Sequence, residues 1–159
     1  LKDVQQTART ALNEVRKMVS QMRGIRFKEE LIRVRQLLKA AEIELVCEDD
    51  VSLSNVSLFI ENILSMCMKE AVTNVVKHSQ ATICHISISQ TWDEVSVTIK
   101  DNGIGIVKET DLGKGSGLQG IEERLEFVNG SLDIISDQGT TIVMKIPNVV
   151  KQSDRRDQN

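Results

Sequence analysis

The feature that most constrains the fold is an alternating apolar stretch that leads straight into an acidic, glycine-containing turn. Residues Val95–Lys100 alternate apolar and polar with the period of two that is typical of a half-buried strand. The turn Asp101–Gly105 follows at once, so this strand delivers a carboxylate to its exit. Glycines at 103 and 105 permit close backbone approaches that a Cβ would block. The sequence therefore predicts a strand ending at a cleft, with Asp101 at the edge of that cleft.

A second glycine-rich run lies a short distance downstream, at Gly113-Lys114-Gly115-Ser116-Gly117, and leads into a predicted helix that begins near Leu118. Backbone N–H groups at a helix start bind phosphate, so the acid and the loop together indicate a nucleotide site. Neither a Walker phosphate loop nor a Gly-x-Gly-x-x-Gly motif opening a βαβ unit is present. Each piece alone has an ordinary alternative, because Asp-Asn-Gly is a common turn and Gly-Lys-Gly-Ser-Gly a common linker.

Length and composition fit a globular domain with one core and an appendage. The chain has 159 residues, of which 40% are hydrophobic and 27% charged, and a net charge of −3. That charge predicts neither nucleic-acid binding nor membrane contact by this chain. Cys47, Cys67 and Cys84 lack Cys-x-x-Cys spacing, so we expect reduced thiols in a cytosolic setting. The chain begins at Leu1 inside a helical pattern, without a signal peptide or a transmembrane run, and we expect a fragment of a longer protein.

The N-terminal segment predicts a helical arm. Apolar residues recur with alternating spacings of four and three, at Val4, Ala8, Ala11, Val15, Met18 and Met22. This seam is typical of one arm of a multi-helix dimer, and the alternative is an amphipathic helix on the core of its own domain. We predict that the arm covers residues 1–24 and that residues 25–27 form a hinge.

The rest of the chain predicts a two-layer α/β sandwich over residues 28–147 and a disordered tail over 148–159. Helices are expected over about 28–42, from Ser54 or Asn55 to 78, and over about 118–128. Strands are expected at 43–47, 82–90, 95–101, 131–136 and 140–146, and Asn129-Gly130 is a C-cap signal. Because the strands alternate apolar with polar, we expect a mixed sheet with helices on one face only.

The long central helix carries a pair of polar residues that are candidates for catalysis and metal binding. Glu70 and Asn74 are four residues apart and share a helix face. An amide oxygen suits Mg²⁺, and a carboxylate one turn away can accept a proton or orient a nucleophile. Lys77 and His78 extend the same region. The alternatives are an ordinary pair of polar helix residues and a polar helix end favoured by the helix dipole.

Taken together, four segments in order resemble the N, G1, G2 and G3 boxes of the ATP-binding domain of sensor histidine kinases, in the superfamily shared with gyrase, Hsp90 and MutL. They are Glu70–His78, Asp101–Gly105, Gly115–Leu118 and Gly139–Thr141. The segment Leu118–Leu125 is similar to the Gly-Leu-x-Gly-Ile-x-Glu-Arg signature of the NarX-type subfamily. Residues 1–23 resemble the second helix of that subfamily's dimerisation and phosphotransfer hairpin.

The resemblance implies a role for each matching residue. Asn74 would bind Mg²⁺, and Glu70 would polarise or deprotonate the phosphoacceptor histidine. Asp101 would accept a hydrogen bond from the adenine 6-amino group, beside Thr140, and would repel the carbonyl oxygen of guanine. Gly103 and Gly105 would let the backbone approach the base. The phosphates would meet Lys77 or His78 and a short lid over about 107–116, with Gly113, Lys114, Gly115, Ser116, Gly117 and Leu118 lining them.

The resemblance also implies the reaction and the partners. ATP and Mg²⁺ would be the cofactors, and the γ-phosphoryl would pass to a histidine on a dimerisation helix that this chain lacks, since His78 and His85 do not match that position. A response regulator would receive the signal, and the parent protein would lie in the cell membrane with this domain in the cytoplasm. Two alternatives are an anti-sigma-factor serine kinase, which lacks the helical arm, and a non-catalytic ATP-gated dimerisation module.

Overall fold

A computed structural model describes residues 2–22, 26–48, 53, 56–105 and 117–147, with the side chains of the first helix described over residues 5–15. The helices are α1 (Lys2–Met22), α2 (Phe27–Ala40), α3 (Leu58–Asn74) and α4 (Leu118–Glu126), and a π-helical turn (Val75–Ser79) continues α3. The strands are β1 (Glu44–Cys47), β2 (Ile83–Gln90), β3 (Glu94–Asp101), β4 (Ser131–Ser136) and β5 (Thr140–Pro147).

The five strands form one mixed sheet in the order β1-β2-β3-β5-β4. Strand β1 runs parallel to β2, and the other neighbouring pairs are antiparallel. In this register Asp101 at the end of β3 lies between Cys84 of β2 and Thr140 of β5. The predicted mixed sheet is confirmed, and its central strands bring three separate segments of the sequence to one point.

The core lies between one face of the sheet and the helices, as the alternation predicts. Buried side chains of β3 and β5 alternate with partly or fully exposed ones, and the buried set is Val95, Val97, Ile99, Ile142, Met144 and Ile146. Helix α3 covers them with Ile63, Leu64, Cys67, Met68 and Ala71, all fully buried. On the opposite face of the sheet His85 and Lys100 are exposed neighbours on β2 and β3. Burial of each large aliphatic side chain stabilises the fold by roughly 1.5–3 kcal/mol, and the two-layer sandwich is confirmed.

The junction between the arm and the sandwich differs from the predicted hinge. Phe27 is the first residue of α2 and is only 2% exposed, so the hinge prediction is wrong at this position. The buried carboxylate of Glu61 in α3 accepts hydrogen bonds from the backbone N–H of Phe27 and from Nε of Arg26, each at 3.1 Å. A carboxylate at the first turn of α2 accepts from an otherwise free backbone N–H. Its negative charge also interacts favourably with the positive end of the helix dipole. Ile25 lies outside the described residues.

The arm itself is helical, and its described side chains at residues 5–14 are exposed. Leu12 is 51% exposed, so this part of α1 does not lie on the core of its own domain. Within the described ranges, no helix has the length and apolar character needed to cross a membrane.

Helix α3 begins and ends differently from the sequence prediction. Its N-cap is Ser57, whose hydroxyl accepts from the backbone N–H of Ile60 at 3.2 Å, so the predicted start at Ser54 or Asn55 is wrong. At the other end the chain passes into the π-helical turn and stops at Gln80, which has a φ of 55°. Wide helical turns of this kind are frequent at functional sites.

The predicted C-cap of α4 is confirmed. Asn129 adopts a φ of 58°, and the N–H of Gly130 donates to the carbonyl of Leu125 at 2.7 Å. A residue in the left-handed conformation commonly ends a helix in this way, and here it directs the chain into β4. The predicted tail at 148–159 and the predicted lid at 107–116 lie outside the described residues, as do Gly113, Lys114, Gly115 and Ser116.

Candidate functional site

The carboxylate of Asp101 is the buried acid at the centre of the site, 4% exposed at the end of β3. Its Oδ1 accepts hydrogen bonds from the N–H of Gly103 at 2.8 Å and from the N–H of Thr140 at 3.4 Å. Among the described residues no donor reaches the other oxygen, Oδ2. A carboxylate that is fixed through one oxygen has the second oxygen available as an acceptor for a ligand donor.

Asn102 holds this loop to the sheet, a role that no specific sequence pattern indicated. Its Oδ1 accepts from the backbone N–H groups of Thr82 and Ile83 at 2.9 and 3.0 Å, and its Nδ2 donates to Thr82 Oγ1 at 2.8 Å. Asparagine side chains in turns often form hydrogen bonds with nearby backbone groups. That general preference is the only feature of the sequence that points to this role of Asn102. The side chain of Asn102 therefore positions the start of β2 beside Asp101.

Gly103 lets the Asp101 loop lie directly against the end of the central helix. A Cβ at this position would stand 2.0 Å from the backbone oxygen of Ser79. The N–H of Ile104 donates to that same oxygen at 2.8 Å. Ser79 is itself buried in the π-helical turn, with its hydroxyl bonded to the carbonyl of Val75. The contact joins the acid loop to α3, and no sequence pattern indicated Ser79.

Glu70 and Asn74 are half-buried on the last turns of α3 and meet the start of α4. Gly117, with a φ of 77°, precedes α4, and a Cβ there would stand 3.1 Å from Glu70 Oε2 and 3.2 Å from Asn74 Oδ1. The structure thus brings together three of the residues that the boxes predicted. Within the part of the chain that the structure describes, Asn74 Nδ2 is buried with no hydrogen-bond partner, which is unusual for a native amide.

That unpaired amide is the observation that tests whether Mg²⁺ and phosphate fit here. An amide supplies one hard oxygen for the metal and N–H donors for phosphate oxygens. The amide lies beside Gly117, which precedes α4, and backbone N–H groups at the start of a helix favour anions. The residues present therefore fit a magnesium–phosphate group.

The remaining predicted residues take different positions around this centre. Gly105 lies beside the β4–β5 turn, and Thr140 is half-buried next to Asp101. Lys77 and His78 are exposed on the π-helical turn. The side chain of Leu118 is buried in the core, so only its backbone can face a ligand.

Two buried thiols flank the site. Burial, followed by the charge of Asp101, raises the pKa of Cys84 to about 12. Burial likewise raises the pKa of Cys67 to about 12, with a smaller opposing effect of Arg124 and an added effect of Glu70. Both thiols stay protonated at neutral pH, and the described cysteines are free, which agrees with the prediction of reduced thiols.

The mixed sheet with helices on one face, an acid at the end of β3 and an asparagine at the end of α3 define the class of protein. The model of the histidine kinase-, DNA gyrase B- and HSP90-like ATPases matches residues 60–150, which is more than half of the chain. The chain belongs to this family, and the predicted ATP-binding fold is confirmed.

Particular relatives narrow the class to sensor histidine kinases. The sensor histidine kinase DesK of Bacillus subtilis (strain 168) is 57% identical over 148 residues, which cover 93% of this chain and 40% of that protein. The sensor histidine kinase YvfT of the same strain is 41% identical over 94% of this chain and 40% of its own length. This confirms the predicted resemblance to the ATP-binding domain of sensor histidine kinases and identifies the relatives as DesK-like. The chain spans about two fifths of the length of these relatives.

Solved structures agree on the fold. The blue-light activated histidine kinase EL346 of Erythrobacter litoralis has a TM-score of 0.67 and 18% identity, over 81% of this chain and 44% of that one. The histidine kinase AdeS of Acinetobacter baumannii has a TM-score of 0.62 and 20% identity, over 90% of this chain and 80% of that one. The chain is a DesK-like ATP-binding domain of the histidine-kinase type, and the two alternative functions are not favoured.

Proposed function

We propose that this domain binds Mg-ATP and transfers its γ-phosphoryl group to a histidine on a dimerisation helix of the longer protein. The observation that carries the proposal is that two polar side-chain atoms of the site have no hydrogen-bond partner among the described residues. These are Oδ2 of Asp101, which lacks a donor among the described residues, and Nδ2 of Asn74. The names of DesK and YvfT, both sensor histidine kinases, support the reaction class.

Asp101 would recognise the base. With Oδ1 bonded to Gly103 and Thr140, its Oδ2 can accept from the adenine 6-amino group. Guanine carries a carbonyl oxygen at that position, which a carboxylate repels, so the site should prefer ATP. Gly103 and Gly105 would let the backbone lie against the ring, and Thr140 would share the adenine edge.

Asn74 would hold Mg²⁺ through its amide oxygen, next to phosphate oxygens and waters. When bound, the metal neutralises charge on the phosphates. Lys77 and His78 add positive charge from the π-helical turn, and the backbone of Gly117 and Leu118 would face the phosphates at the start of α4. The lid run Gly113, Lys114, Gly115 and Ser116 would complete this side of the site.

Glu70 would act on the phosphoacceptor histidine. Glu70 is half-buried, and its carboxylate lies 3.1 Å from where a Cβ of Gly117 would stand. It therefore lies beside the start of α4, the predicted phosphate position. Accepting an N–H of the imidazole would make the opposite ring nitrogen a better nucleophile. Phosphoryl transfer otherwise depends on positioning and charge neutralisation, which this constellation provides.

The wider assignments rest on the sensor-kinase relatives and on the charge of the chain. We propose that residues 1–24 belong to a dimerisation hairpin, that a response regulator is the downstream partner, and that the domain is the cytoplasmic part of a membrane protein. We propose neither nucleic acid nor a membrane surface as a partner of this domain, because a net charge of −3 does not attract either of these anionic partners.

Transfer of label from [γ-³²P]ATP tests the proposal. We expect the 159-residue chain alone to incorporate no phosphate, and to label a separate hairpin polypeptide that carries the phosphoacceptor histidine. The transfer should be slow, because the tether that raises effective concentration is missing. The product should be acid-labile and base-stable. Phosphate on His78 or His85 of this chain, or an acid-stable product, would contradict the proposal.

Changing Asn74 to alanine should remove most of the magnesium dependence of nucleotide binding. Because the amide is the proposed ligand, we expect Mg²⁺ to strengthen ADP binding to the variant much less than to the wild type, with a loss of roughly tenfold in Mg-ADP affinity. Calorimetric titration with and without Mg²⁺ measures this difference. Asn62→Ala is the matched control, since Asn62 is another buried asparagine with an unpaired atom, twelve residues earlier on α3. A normal magnesium enhancement in Asn74→Ala would exclude Asn74 as the ligand.

A further inference from the structure

We infer that Arg124 of α4 is a positioning residue that orients the carboxylate of Glu70 for phosphoryl transfer. This inference rests on the proposed function and adds a residue to it. Arg124 would touch neither the nucleotide nor the phosphoacceptor histidine. It would act through Glu70 alone.

The geometry of α4 places Arg124 on the side that meets α3. Gly117 and Arg124 are seven residues apart, which is close to two helical turns, so they share a face. Gly117 is the residue at which a Cβ would stand 3.1 Å from Glu70 Oε2 and 3.2 Å from Asn74 Oδ1. Arg124 therefore lies along the same face, further from the site and next to α3.

The side chain of Arg124 runs back toward the site. Its Nη1 lies 3.2 Å from where a Cβ of Gly120 would stand, one turn nearer the start of α4. Gly120 is about 4.5 Å along the helix axis from Gly117, at a rise of about 1.5 Å per residue. The glycine therefore leaves room for the guanidinium within about one turn of the carboxylate of Glu70.

The buried thiol of Cys67 supports this placement of Arg124. The thiol is fully buried on α3, one turn before Glu70. Besides burial, the two groups that act on its pKa are Arg124, which lowers it, and Glu70, which raises it. Both charged groups therefore act on one sulfur atom, which lies on α3.

Arg124 is also available for a new partner. It is half-buried, and within the described ranges it makes no hydrogen bond or ion pair shorter than 4 Å. The nearby acid Glu123 is exposed and accepts a hydrogen bond from Gln119 at 3.3 Å. A half-buried guanidinium without a partner, beside a half-buried carboxylate, is in place for a charge-assisted hydrogen bond. Rotation of the two side chains toward each other would form this bond and would fix which oxygen of Glu70 faces the imidazole.

The test compares Arg124→Gln and Arg124→Lys with the wild type in transfer to the histidine-bearing hairpin. We expect Arg124→Gln to lower the rate at saturating ATP by roughly tenfold, the scale of one charged hydrogen bond, while KM for ATP stays within about twofold. Lysine keeps the charge and should restore most of the rate. The control is Lys69→Gln, which removes an exposed cation next to Glu70 and should leave the rate unchanged.

A double variant separates positioning from packing. If Arg124 acts through Glu70, adding Arg124→Gln to Glu70→Gln should cause almost no further loss, since the two effects share one contact. An equal tenfold loss in both backgrounds would overturn the inference. A raised KM with an unchanged rate would overturn it too, because Arg124 would then bind phosphate. The inference would also be overturned if Arg124→Gln lowered the melting temperature enough to explain the slower transfer and Arg124→Lys did not restore it. If the wild-type chain labels no hairpin, the proposed function fails first.

Discussion

Replacing Glu70 with glutamine should slow phosphoryl transfer to a supplied histidine hairpin by roughly 100- to 10,000-fold, the usual contribution of a positioned acid or base. Glutamine has nearly the same shape and can occupy the same position beside Gly117, so the fold should persist. Its neutral amide is a far weaker acceptor for the imidazole N–H. Quench-flow or gel-based measurement of ³²P transfer at saturating ATP gives the rate, and calorimetry checks that ATP affinity changes by less than about twofold.

The matched control removes a glutamate from the solvent side of the same region. Glu122 is exposed on α4, and Glu122→Gln should transfer phosphate at the wild-type rate. If Glu70→Gln also keeps the wild-type rate, Glu70 has no catalytic role. If instead the variant loses ATP affinity in proportion to rate, Glu70 belongs to the nucleotide site rather than to the chemistry.

Changing Asp101 to asparagine should weaken ATP binding by about 1–3 kcal/mol, which is roughly a 5- to 150-fold rise in Kd. One amide group cannot replace both carboxylate oxygens, because Oδ1 accepts from the N–H groups of Gly103 and Thr140 and Oδ2 is proposed to accept from adenine. Whichever way the amide points, its NH₂ faces another donor. Calorimetric titration with ATP measures the loss.

Two comparisons make this result specific. Asp133 is exposed on β4, so Asp133→Asn is a control for the same chemical change and should bind ATP normally. Discrimination between ATP and GTP should also shrink in Asp101→Asn, since the asparagine NH₂ can donate to the guanine carbonyl. A folded Asp101→Asn variant with wild-type ATP affinity would exclude Asp101 as the adenine partner.

The pattern of polar residues predicted which side chains matter but not all of those that hold them in place. Asp101, Gly103, Glu70 and Asn74 were identified because each stands at a recognisable spacing in a strand exit or on a helix face. Ser79 was not, because a serine near the end of a helix has many possible partners. Only the fold shows that its carbonyl receives the N–H of Ile104.

The ends of the helices were also predicted less well than the helices themselves. The start of α3 was predicted at Ser54 or Asn55, whereas Ser57 caps it, because several residues in this segment are equally good caps by type. The wide turn at Val75–Ser79 also escaped prediction, since the apolar spacing of a π-turn over five residues resembles that of an α-helix. Phe27 was placed in a hinge, yet the carboxylate of Glu61, distant in sequence, caps its helix.

The sequence by itself determined the layers, the one-sided sheet and the candidate residues of the site, because periodicity and residue type are local properties. Tertiary structure alone decided which candidates meet. It placed Asp101 between Cys84 and Thr140, and it set Gly117 against Glu70 and Asn74. It also turned Arg124 back over Gly120 toward α3. These contacts join segments far apart in the chain, and their geometry depends on how the helices pack on the sheet, which no local pattern encodes.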